Sequence, residues 1–407
     1  MRAIEGFESG EFDSFGNPIT ITDRAPLEPK AGDNIYTTID KNLQAILAKK
    51  LTEGVASYQA VSGTGIIMEP KTGRILALAN VPDFDPNNYY KEPDGSVFGN
   101  KAISYPYEIG SVGKVFTLSS ALDLETLEAD SVVLPNGHEG CEIINPDPPK
   151  DAVCFAKDPE KKVDCICTYD RRPNHQTLTA ALSFINSDNI AFRHIALTMT
   201  YSEFYDYLTR FGVGTSTGVE LAGESSGVIT PLAKWNYADQ AVFSYGHAYQ
   251  MTPLQVIAGV ATVANEGKRM QPYIVSRVES SDGKVTEFNP RILEDVVKPI
   301  TAETVTEIMH EVYKNALIER DYKYLSKYYI ALKSGTALIP YTDGPGYSDE
   351  INATYVGFDA SPDKKFIMLM KLEKPQVGEL SVANARKLWL DTFIEIKDYL
   401  GVKSYNK

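Results

Sequence analysis

Ser111 and Lys114 are the first pair of residues in this sequence whose types and spacing could do chemistry. If a helix begins at Ser111, Lys114 lies one turn further along on the same face, within possible hydrogen-bond reach. A lysine desolvated there loses its proton more easily and could deprotonate the serine, and the positive end of the helix favours the negative charge that develops. The pair therefore predicts a serine nucleophile with a lysine base.

The same stretch, G-S-V-G-K at 110–114, can also be interpreted as half of a phosphate-binding loop. That loop requires G-x-x-x-x-G-K-[ST], in which the last residue ligates magnesium. Glu108 stands where the first glycine belongs, and Val115 stands where the hydroxyl belongs. Both departures argue against nucleotide binding. The S-x-x-K spacing is nevertheless weak evidence alone, because Ser281 and Lys284 share it in a predicted surface turn.

Two further motifs follow in a consistent order. S-D-N at 187–189 lies in a region that is predicted to be helical, and K-S-G-T at 333–336 comes at the end of a predicted strand. Each motif is short enough to occur by chance. All three together, in this order and with helical sequence between them, are a strong signal for a serine acyl-transfer site.

The predicted elements that would position these motifs fall into two groups. An Asp cap followed by an i, i+3, i+4 apolar stripe predicts a helix from about residue 40, and hairpins are predicted at 63–79 and 354–372. A fifth strand is predicted at 328–332, and an amphipathic helix at 382–400. The middle, about 108–264, is predicted to be mostly helical. The fold class is therefore α+β, with an antiparallel five-stranded sheet flanked by helices and an adjoining helical subdomain.

Composition limits the class of protein and its partners. The chain has 407 residues, of which 43% are hydrophobic and 23% charged, so it can bury a substantial core. A net charge of -14 argues against a nucleic-acid partner, since phosphate binding relies on clustered Lys and Arg. No run approaches the roughly 18 apolar residues of a membrane span. The residues up to about 32 are polar and turn-rich, which predicts a linker or the remnant of a preceding domain.

All four cysteines fall within 27 residues of one predicted insertion, at about 137–173. They are Cys141, Cys154, Cys165 and Cys167. An even number clustered in this way favours two disulfides in an oxidising compartment. Zinc is the alternative, with His138, Asp164 or His175 completing a ligand set, although paired C-x-x-C knuckles are missing. Free thiols remain a third interpretation. A braced surface loop is favoured over a metal site or a wall of the substrate groove.

Several longer segments resemble the transpeptidase domain of class B penicillin-binding proteins. They are Y-T-T-I-D-K-N-L-Q at 36–44, M-E-P-K-T-G-R-I-L-A at 68–77, F-D-P-N at 84–87, S-Y-G-H at 244–247, T-P-L-Q at 252–255 and A-N-E-G at 264–267. The resemblance covers the chain from about residue 33, which implies one transpeptidase domain over 33–407. The three short motifs are shared with serine β-lactamases, whereas these segments are not.

The resemblance implies acyl transfer in two steps. Ser111 attacks the penultimate D-Ala of a peptidoglycan stem peptide, D-Ala leaves, and an amine of a neighbouring stem attacks the acyl-enzyme. The implied roles are nucleophile for Ser111, base for Lys114, proton relay for Ser187, substrate amide binding for Asn189, positive charge for Lys333, and carboxylate binding for Ser334 and Thr336. The backbone N-H groups of Ser111 and Thr336 would form the oxyanion hole. Gly335 is expected to let substrate approach the strand.

The resemblance also implies partners and location. β-Lactams should acylate Ser111, a membrane glycosyltransferase is the expected partner, and no cofactor or metal is needed. The protein is expected at the extracytoplasmic face of the bacterial membrane, with a native N-terminal anchor absent from this sequence. His247 borders the site in the resembling family. The alternatives are a β-lactam hydrolase, for which no base for the deacylating water is apparent, and a non-catalytic sensor or scaffold that binds wall fragments or antibiotic.

Overall fold

A five-stranded antiparallel sheet forms the centre of the part of the chain that the structure describes. The structure is a computed structural model that describes residues 11–12, 14, 18–19, 31–145, 154, 164–317, 320–341, 343–344, 346–378 and 380–405. Most of the predicted linker at 1–32 lies outside these residues. So do 146–153 and 155–163 of the predicted insertion.

The predicted helix from about residue 40, the two hairpins and the fifth strand are all present, together with short strands that the sequence did not predict. The α-helices are α1 (Lys41–Ser57), α2 (Lys101–Ser104), α3 (Lys114–Asp123), α4 (Ala180–Ile185), α5 (Asn189–Ala196), α6 (Tyr201–Arg210), α7 (Tyr237–Phe243), α8 (Pro253–Ala264), α9 (Pro299–Ala316) and α10 (Ala385–Ile396). The strands are β1 (Glu11–Phe12), β2 (Pro18–Ile19), β3 (Asn34–Thr37), β4 (Ser62–Met68), β5 (Ile75–Val81), β6 (Tyr107–Glu108), β7 (Val132–Leu134), β8 (Cys141–Ile143), β9 (Cys165–Cys167), β10 (Leu178–Thr179), β11 (Gln250–Met251), β12 (Lys268–Met270), β13 (Val275–Glu279), β14 (Val285–Glu287), β15 (Ile292–Asp295), β16 (Ile330–Pro340), β17 (Tyr347–Asp359) and β18 (Ile367–Glu373).

The sheet has the order β16-β17-β18-β4-β5, and every neighbouring pair is antiparallel. The first hairpin and the last hairpin of the domain therefore meet at β4 and β18, as the sequence predicts. β16 forms one edge of the sheet. The predicted fold class, α+β with an antiparallel five-stranded sheet, is confirmed.

Helices cover both faces of this sheet because the central strands are apolar at almost every position. In β18, Met368 and Met370 pack on the face that α1 and α10 cover, whereas Ile367 and Leu369 pack on the face of the helical region. Asp40 begins α1 by accepting hydrogen bonds from the backbone nitrogens of Asn42 and Leu43. The two layers hold the strands from both sides.

The helical region between β5 and β12 is built around α3 and α8. All twelve residues of α8 are buried, and nine of the ten residues of α3 are buried. A helix that is buried on every side belongs to the interior of a large core. The position of α3 is therefore fixed by packing on all sides, and α3 begins with Lys114.

Two sequence predictions of local structure need correction. The K-S-G-T run was expected at the end of a strand, but it lies inside the eleven-residue strand β16. Pairing continues past it to Pro340 opposite Tyr347, because β17 extends equally far. The C-terminal helix is also shorter than predicted and covers Ala385–Ile396. Among the described helices, none is both long and apolar enough to cross a membrane.

Candidate active site

Ser111 lies in a 3-10 helix, Gly110–Gly113, that leads directly into α3. Gly110 has a φ of 56°, which favours glycine, and a Cβ there would lie 2.5 Å from the carbonyl oxygen of Thr336. The first N-H groups of a helix have no intrahelical acceptor. Ser111 is thus held at a helix N-terminus and close to the backbone of β16, as the sequence predicts for a nucleophile.

The side-chain nitrogen of Lys114 is surrounded by oxygens of the first two motifs. Nζ lies 3.1 Å from Oγ of Ser111, 2.5 Å from the carbonyl oxygen of Ser187, 3.2 Å from Oγ of Ser187 and 2.8 Å from Oδ1 of Asn189. Lys114 has no exposed surface, and its Nζ lies 5.4 Å from the ring centre of Phe192. The structure therefore brings Ser111, Lys114, Ser187 and Asn189 together around one amine.

The environment of Lys114 favours the neutral amine. Burial lowers the pKa of Lys114 well below its usual range, and the nearby charge of Lys333 lowers the pKa further, while Asp188 partly opposes the shift. The four oxygens around Nζ are hydroxyl, carbonyl and amide oxygens rather than carboxylates. A neutral amine at hydrogen-bond distance from a serine hydroxyl can act as a general base.

Ser187 connects the two lysines of the site. It lies between α4 and α5 with a φ of 56°, an uncommon conformation for a residue other than glycine. Its Oγ lies 3.2 Å from Nζ of Lys114 and 3.0 Å from Nζ of Lys333. Lys333 is also buried, and burial lowers its pKa to about 7. A hydroxyl between two amines can relay a proton.

Gly335 has a packing role that the sequence did not indicate. We expected a side chain at 335 to obstruct the substrate. That expectation stays a prediction. A Cβ at 335 would also lie 2.4 Å from the carbonyl oxygen of Ile109 and 2.9 Å from Cγ2 of Val112. The side chain would therefore collide with the segment that carries the nucleophile. Gly335 lets β16 pack closely against that segment.

Thr336 has a partner that the sequence did not indicate. Its Oγ1 lies 2.9 Å from Oγ of Ser381 and accepts a hydrogen bond of 3.2 Å from the backbone nitrogen of Ser381. Ser381 precedes α10 and lies far from the three motifs in the sequence. Ser334, Thr336 and Ser381 all line the same cavity as Ser111. The wall of that cavity at β16 thus carries three hydroxyl groups.

The cysteine-containing segment contacts the site directly. Nδ2 of Asn189 donates a hydrogen bond of 2.9 Å to the carbonyl oxygen of Cys167 in β9. β9 pairs with β8, and disulfides join Cys141 to Cys167 and Cys154 to Cys165. Within the described ranges, no group of three or more His, Cys, Asp or Glu side chains is placed to hold a metal ion. The zinc interpretation has no support in this arrangement.

Asp188, the central residue of the S-D-N motif, faces away from Lys114. Its Oδ1 accepts a hydrogen bond from the backbone nitrogen of Ala191 and so caps α5. Its Oδ2 lies 2.6 Å from Nε2 of His138. Because Nδ1 of His138 accepts a hydrogen bond from the backbone nitrogen of Gly140, Nε2 carries the proton and donates it to Asp188. His138, which was considered as a zinc ligand, thereby supports the motif through Asp188.

A buried carboxylate lies in β6, three residues before Ser111. Glu108 is 6% exposed, and its Oε1 accepts a hydrogen bond of 3.1 Å from the hydroxyl of Tyr347. Its Oε2 lies 3.1 Å from Nδ1 of His247. That distance suits a hydrogen bond, but the N-H direction does not, and Oε2 has no hydrogen-bond partner. The two side chains are therefore in close contact without a hydrogen bond between them.

These groups open onto one cavity of about 820 Å³. Its wall includes residues from all three motifs, from the segment that carries the cysteines, and from the loop before α10. Ser111, Ser187, Asn189, Ser334 and Thr336 all line it, whereas Lys114 and Lys333 lie buried behind. The two lysines can thus act on Ser111 and Ser187 while they are shielded from water.

Sequence reasoning missed Glu108, Ser381 and the link between Asp188 and His138. Glu108 was considered only as a mismatch to a phosphate-binding loop. Ser381 and His138 carry no local pattern that would indicate their contacts. These pairs form only when distant segments pack together.

A comparison with protein-family models matches residues 63–139 and 154–388 to the penicillin binding protein transpeptidase domain. The match leaves out 140–153, so the rest of the predicted insertion, 137–139 and 154–173, falls within the family model. The chain is 28% identical over 364 residues to peptidoglycan D,D-transpeptidase FtsI of Escherichia coli, covering 88% of this chain and 55% of that protein. It is 28% identical over 360 residues to penicillin-binding protein PbpB of Mycolicibacterium smegmatis. The chain spans about half the length of these curated relatives.

Solved structures show the same fold. Penicillin binding protein 3 of Mycobacterium tuberculosis aligns with a TM-score of 0.79 at 22% identity, covering 98% of this chain and 89% of that chain. The same protein has also been solved in complex with aztreonam, with a TM-score of 0.78. The transpeptidase domain of penicillin-binding protein 3 of Burkholderia pseudomallei aligns with a TM-score of 0.72 over 91% of this chain and 98% of that one.

Proposed function

The chain belongs to the penicillin binding protein transpeptidase domain family, and from this premise we propose that it is a serine D,D-transpeptidase that cross-links peptidoglycan stem peptides. The observation that carries the proposal is the amine of Lys114, which is buried and shared by Ser111, Ser187 and Asn189. A non-catalytic binder has no need to bury a lysine, with its pKa lowered by that burial, at hydrogen-bond distance from a serine hydroxyl. The names of the relatives support the substrate class.

In the first half-reaction, Lys114 takes the proton from Oγ of Ser111, and Oγ attacks the carbonyl carbon of the penultimate D-Ala. The bond to the terminal D-Ala breaks, and Ser187 passes the proton to the leaving nitrogen. Lys333 supplies positive charge next to Ser187. Backbone N-H groups of Ser111 and Thr336 stabilise the oxyanion, at about 3 kcal/mol for each donor. No step requires a metal or an organic cofactor.

Substrate orientation is assigned to the polar wall at β16. A terminal carboxylate accepts hydrogen bonds and favours nearby positive charge, and Ser334, Thr336 and Lys333 provide both. We add Ser381 to this group, because its hydroxyl and backbone nitrogen contact the Thr336 hydroxyl. Asn189 can donate the second N-H of its amide to a substrate carbonyl, since the first is used by Cys167.

We also propose that the site works at the extracytoplasmic face of the bacterial membrane, anchored by a segment outside this sequence. The two disulfides support this location, because disulfides persist in oxidising compartments. A membrane glycosyltransferase that supplies the glycan strand is the proposed partner. Residues 1–32 are proposed to connect the transpeptidase domain at 33–407 to whatever precedes it.

Acylation by a penicillin tests the proposal directly. Incubation with benzylpenicillin should add the mass of one penicilloyl group to Ser111, as measured by intact-mass spectrometry and peptide mapping. Lys114→Ala should slow this acylation by a factor of about 100 to 10,000, because the base is lost. Lys284→Ala is the matched control, since Lys284 has the same spacing from a serine but is exposed.

The outcomes separate the candidate functions. A wild-type chain that gains no mass would contradict the proposal. Rapid loss of the adduct, with β-lactam turnover faster than about one per minute, would favour a β-lactam hydrolase instead. Binding of wall peptide that is unchanged in Lys114→Ala, without acylation of either protein, would favour a scaffold.

A further inference from the structure

Two adjacent arginines line the cavity of Ser111 and have no part in the proposed chemistry. Arg171 and Arg172 follow β9, and residues 167–174 line this cavity without interruption. We call residues 167–174 the cysteine-side wall. Both arginine side chains are exposed, so each can meet a substrate that enters the cavity.

The backbone of these arginines is held against the preceding hairpin. The backbone nitrogen of Arg171 donates a hydrogen bond of 3.2 Å to the carbonyl oxygen of Thr168, and the nitrogen of Thr168 donates one of 3.0 Å to the carbonyl oxygen of Gly140. Gly140 has a φ of 88°, and a Cβ there would lie 2.3 Å from the carbonyl oxygen of Arg171. The disulfide between Cys141 and Cys167 joins the same two segments. The two guanidinium groups therefore extend from a fixed turn.

The carboxylates that line this part of the cavity do not balance the two guanidinium groups. Among the described residues that line the cavity, the acidic ones are Asp170 and Asp188. Asp188 is buried, and its oxygens are engaged by the backbone nitrogen of Ala191 and by the ring of His138. Asp170 is exposed, and its Oδ2 lies 3.7 Å from Nε of Arg172. The cysteine-side wall thus presents two guanidinium groups and one exposed carboxylate.

This local positive charge stands out on a chain whose net charge is -14. Such a chain repels anions at long range, whereas positive charge that lines a cavity attracts them and selects for them. A guanidinium group suits a carboxylate in particular, because its planar fork of N-H groups matches the two carboxylate oxygens. The terminal carboxylate of the donor is already assigned to β16. The arginines are therefore suited to a different carboxylate.

Asn189 indicates which part of the substrate lies next to these arginines. One N-H of its amide donates a hydrogen bond to the carbonyl oxygen of Cys167, which is the first residue of the cysteine-side wall. The other N-H is the one that we assign to a carbonyl group of the donor. A donor that is held by Asn189 therefore has its acyl chain beside this wall, and Arg171 and Arg172 follow Cys167 by four and five residues.

We propose that Arg171 and Arg172 bind a carboxylate on the acyl side of the donor, which is the part that stays on Ser111 after the terminal D-Ala leaves. This inference rests on the proposed transpeptidase function. It adds no chemical step: the arginines hold the donor while the bond to Ser111 forms, and Asp170 reduces their combined charge. A carboxylate of the acceptor is the other source of the same chemistry, and the test separates the two.

The test compares two penicillins that differ by one carboxylate. Carbenicillin is benzylpenicillin with an added carboxylate on its side chain, on the part that corresponds to the acyl side of the donor. The second-order rate constant for acylation of Ser111 is measured for each by competition with a fluorescent penicillin. The ratio of carbenicillin to benzylpenicillin should fall about three- to tenfold when Arg171→Gln and Arg172→Gln are combined. The rate constant for benzylpenicillin should stay within about twofold of the wild type.

Asp170→Asn should change the same ratio in the opposite direction. It removes the negative charge beside Arg172 and keeps an oxygen that can accept the hydrogen bond from the backbone nitrogen of Arg172. We expect the ratio of carbenicillin to benzylpenicillin to rise by about twofold. Damage to the fold would not favour the penicillin with the additional charge. A ratio that falls in Asp170→Asn would contradict the proposal.

Arg74→Gln combined with Arg291→Gln is the matched control. It removes the same net charge at two exposed arginines that do not line the cavity. Its ratio should equal that of the wild type. A fall as large as that in the variant of Arg171 and Arg172 would show that only the net charge of the chain matters, and would overturn the proposal.

A second assay tests the acceptor as the source of the carboxylate. An N-acetyl-D-alanyl thioester serves as the donor, and transfer to D-alanine is compared with transfer to D-alaninamide, which lacks the carboxylate. The preference between these acceptors should be the same in the wild type and in Arg171→Gln with Arg172→Gln. A change in this preference alone would assign the arginines to the acceptor and overturn the donor assignment.

Two further outcomes would overturn the inference and leave the transpeptidase function in place. One is an unchanged preference in both assays. The other is an equal loss of acylation by both penicillins, because the arginines would then only support the structure of the site. A wild-type chain that benzylpenicillin does not label contradicts the transpeptidase function itself, and with it the inference.

Discussion

Nδ2 of Asn189 donates a hydrogen bond of 2.9 Å to the carbonyl oxygen of Cys167. The same side chain accepts a hydrogen bond of 2.8 Å from Nζ of Lys114 through Oδ1. Cys167 is bonded to Cys141 across the short hairpin of β8 and β9. One end of the amide therefore touches the proposed base, and the other touches a strand that a disulfide fixes. The cysteine segment is part of the support of the site.

Loss of the Cys141–Cys167 disulfide should impair acylation more than loss of the other disulfide. Cys141→Ser combined with Cys167→Ser frees the strand that holds Asn189, so we expect penicillin acylation to slow by about tenfold and the protein to lose about 2 to 4 kcal/mol of stability. Stopped-flow labelling with a fluorescent penicillin and urea unfolding measure the two effects.

Cys154→Ser combined with Cys165→Ser is the matched control for that pair. It removes one disulfide of the same segment but leaves the bond at Cys167 in place. We expect acylation within about twofold of the wild type. Equal losses in the two double variants would show that the hairpin acts only through global stability.

Gly335→Ala should disable the site by displacing the nucleophile. The new methyl group would approach the carbonyl oxygen of Ile109 to 2.4 Å, so β16 and the Ser111 segment must separate. We expect a loss of stability of about 1 to 3 kcal/mol and acylation at least about 100-fold slower. Gly344→Ala is the control, because a Cβ there meets nothing within 4 Å. Normal acylation of Gly335→Ala would contradict the close packing.

Lys333→Met should shift the pH dependence of acylation to higher pH. Lys114 acts when it is neutral, and the positive charge of Lys333 lowers the pKa of Lys114. Without that charge the pKa of Lys114 rises, so a higher pH is needed for the same fraction of free base. We expect the pH at which the acylation rate reaches half of its maximum to rise by at least about half a pH unit. The pKa of Lys333 is about 7, so the shift should be clearest below that pH.

The control for this profile is Lys284→Met, which removes an exposed lysine between β13 and β14 that does not line the cavity. Its acylation profile should coincide with that of the wild type. If the acylation rate of Lys333→Met rises over the same pH range as that of the wild type, and only the maximal rate is lower, Lys333 acts through its hydrogen bond to Ser187 alone.

Lys371→Met should remove a pH dependence of stability that has no relation to catalysis. Lys371 is 7% exposed in β18, and burial lowers its pKa to about 8. Between this value and about 10.4 in the unfolded chain, the unfolded state binds more protons, so stability rises with pH. The variant lacks this gain. Its stability relative to the wild type should therefore fall from about pH 8 to about pH 10, by at most about 1.4 kcal/mol per pH unit.

Urea unfolding at both pH values measures this difference. Lys403→Met, at an exposed lysine near the C-terminus, should show the same stability difference from the wild type at the two pH values. A constant difference for Lys371→Met would contradict the lowered pKa of the buried lysine.

Much of the fold could be predicted because its signals are local. Asp40 and the apolar stripe after it predicted α1, and alternating and apolar runs predicted the strands of both hairpins. The end of β16 was placed too early, because polar residues in K-S-G-T resemble a strand end. On an edge strand, polar side chains are tolerated while backbone pairing with the neighbouring strand continues.

The sequence by itself determined which residues would form the candidate site, because the three motifs have fixed spacings and a fixed order along the chain. It also determined that a serine and a lysine would share one helix face. Only the tertiary structure decided what surrounds them: that Asn189 contacts Cys167, that Asp188 faces His138, and that Glu108 faces His247. These contacts join segments that are separated by about 20 to 140 residues, and the type of a residue does not reveal which distant group it will contact. The partner is set only in the folded chain, where each buried polar group needs a hydrogen bond.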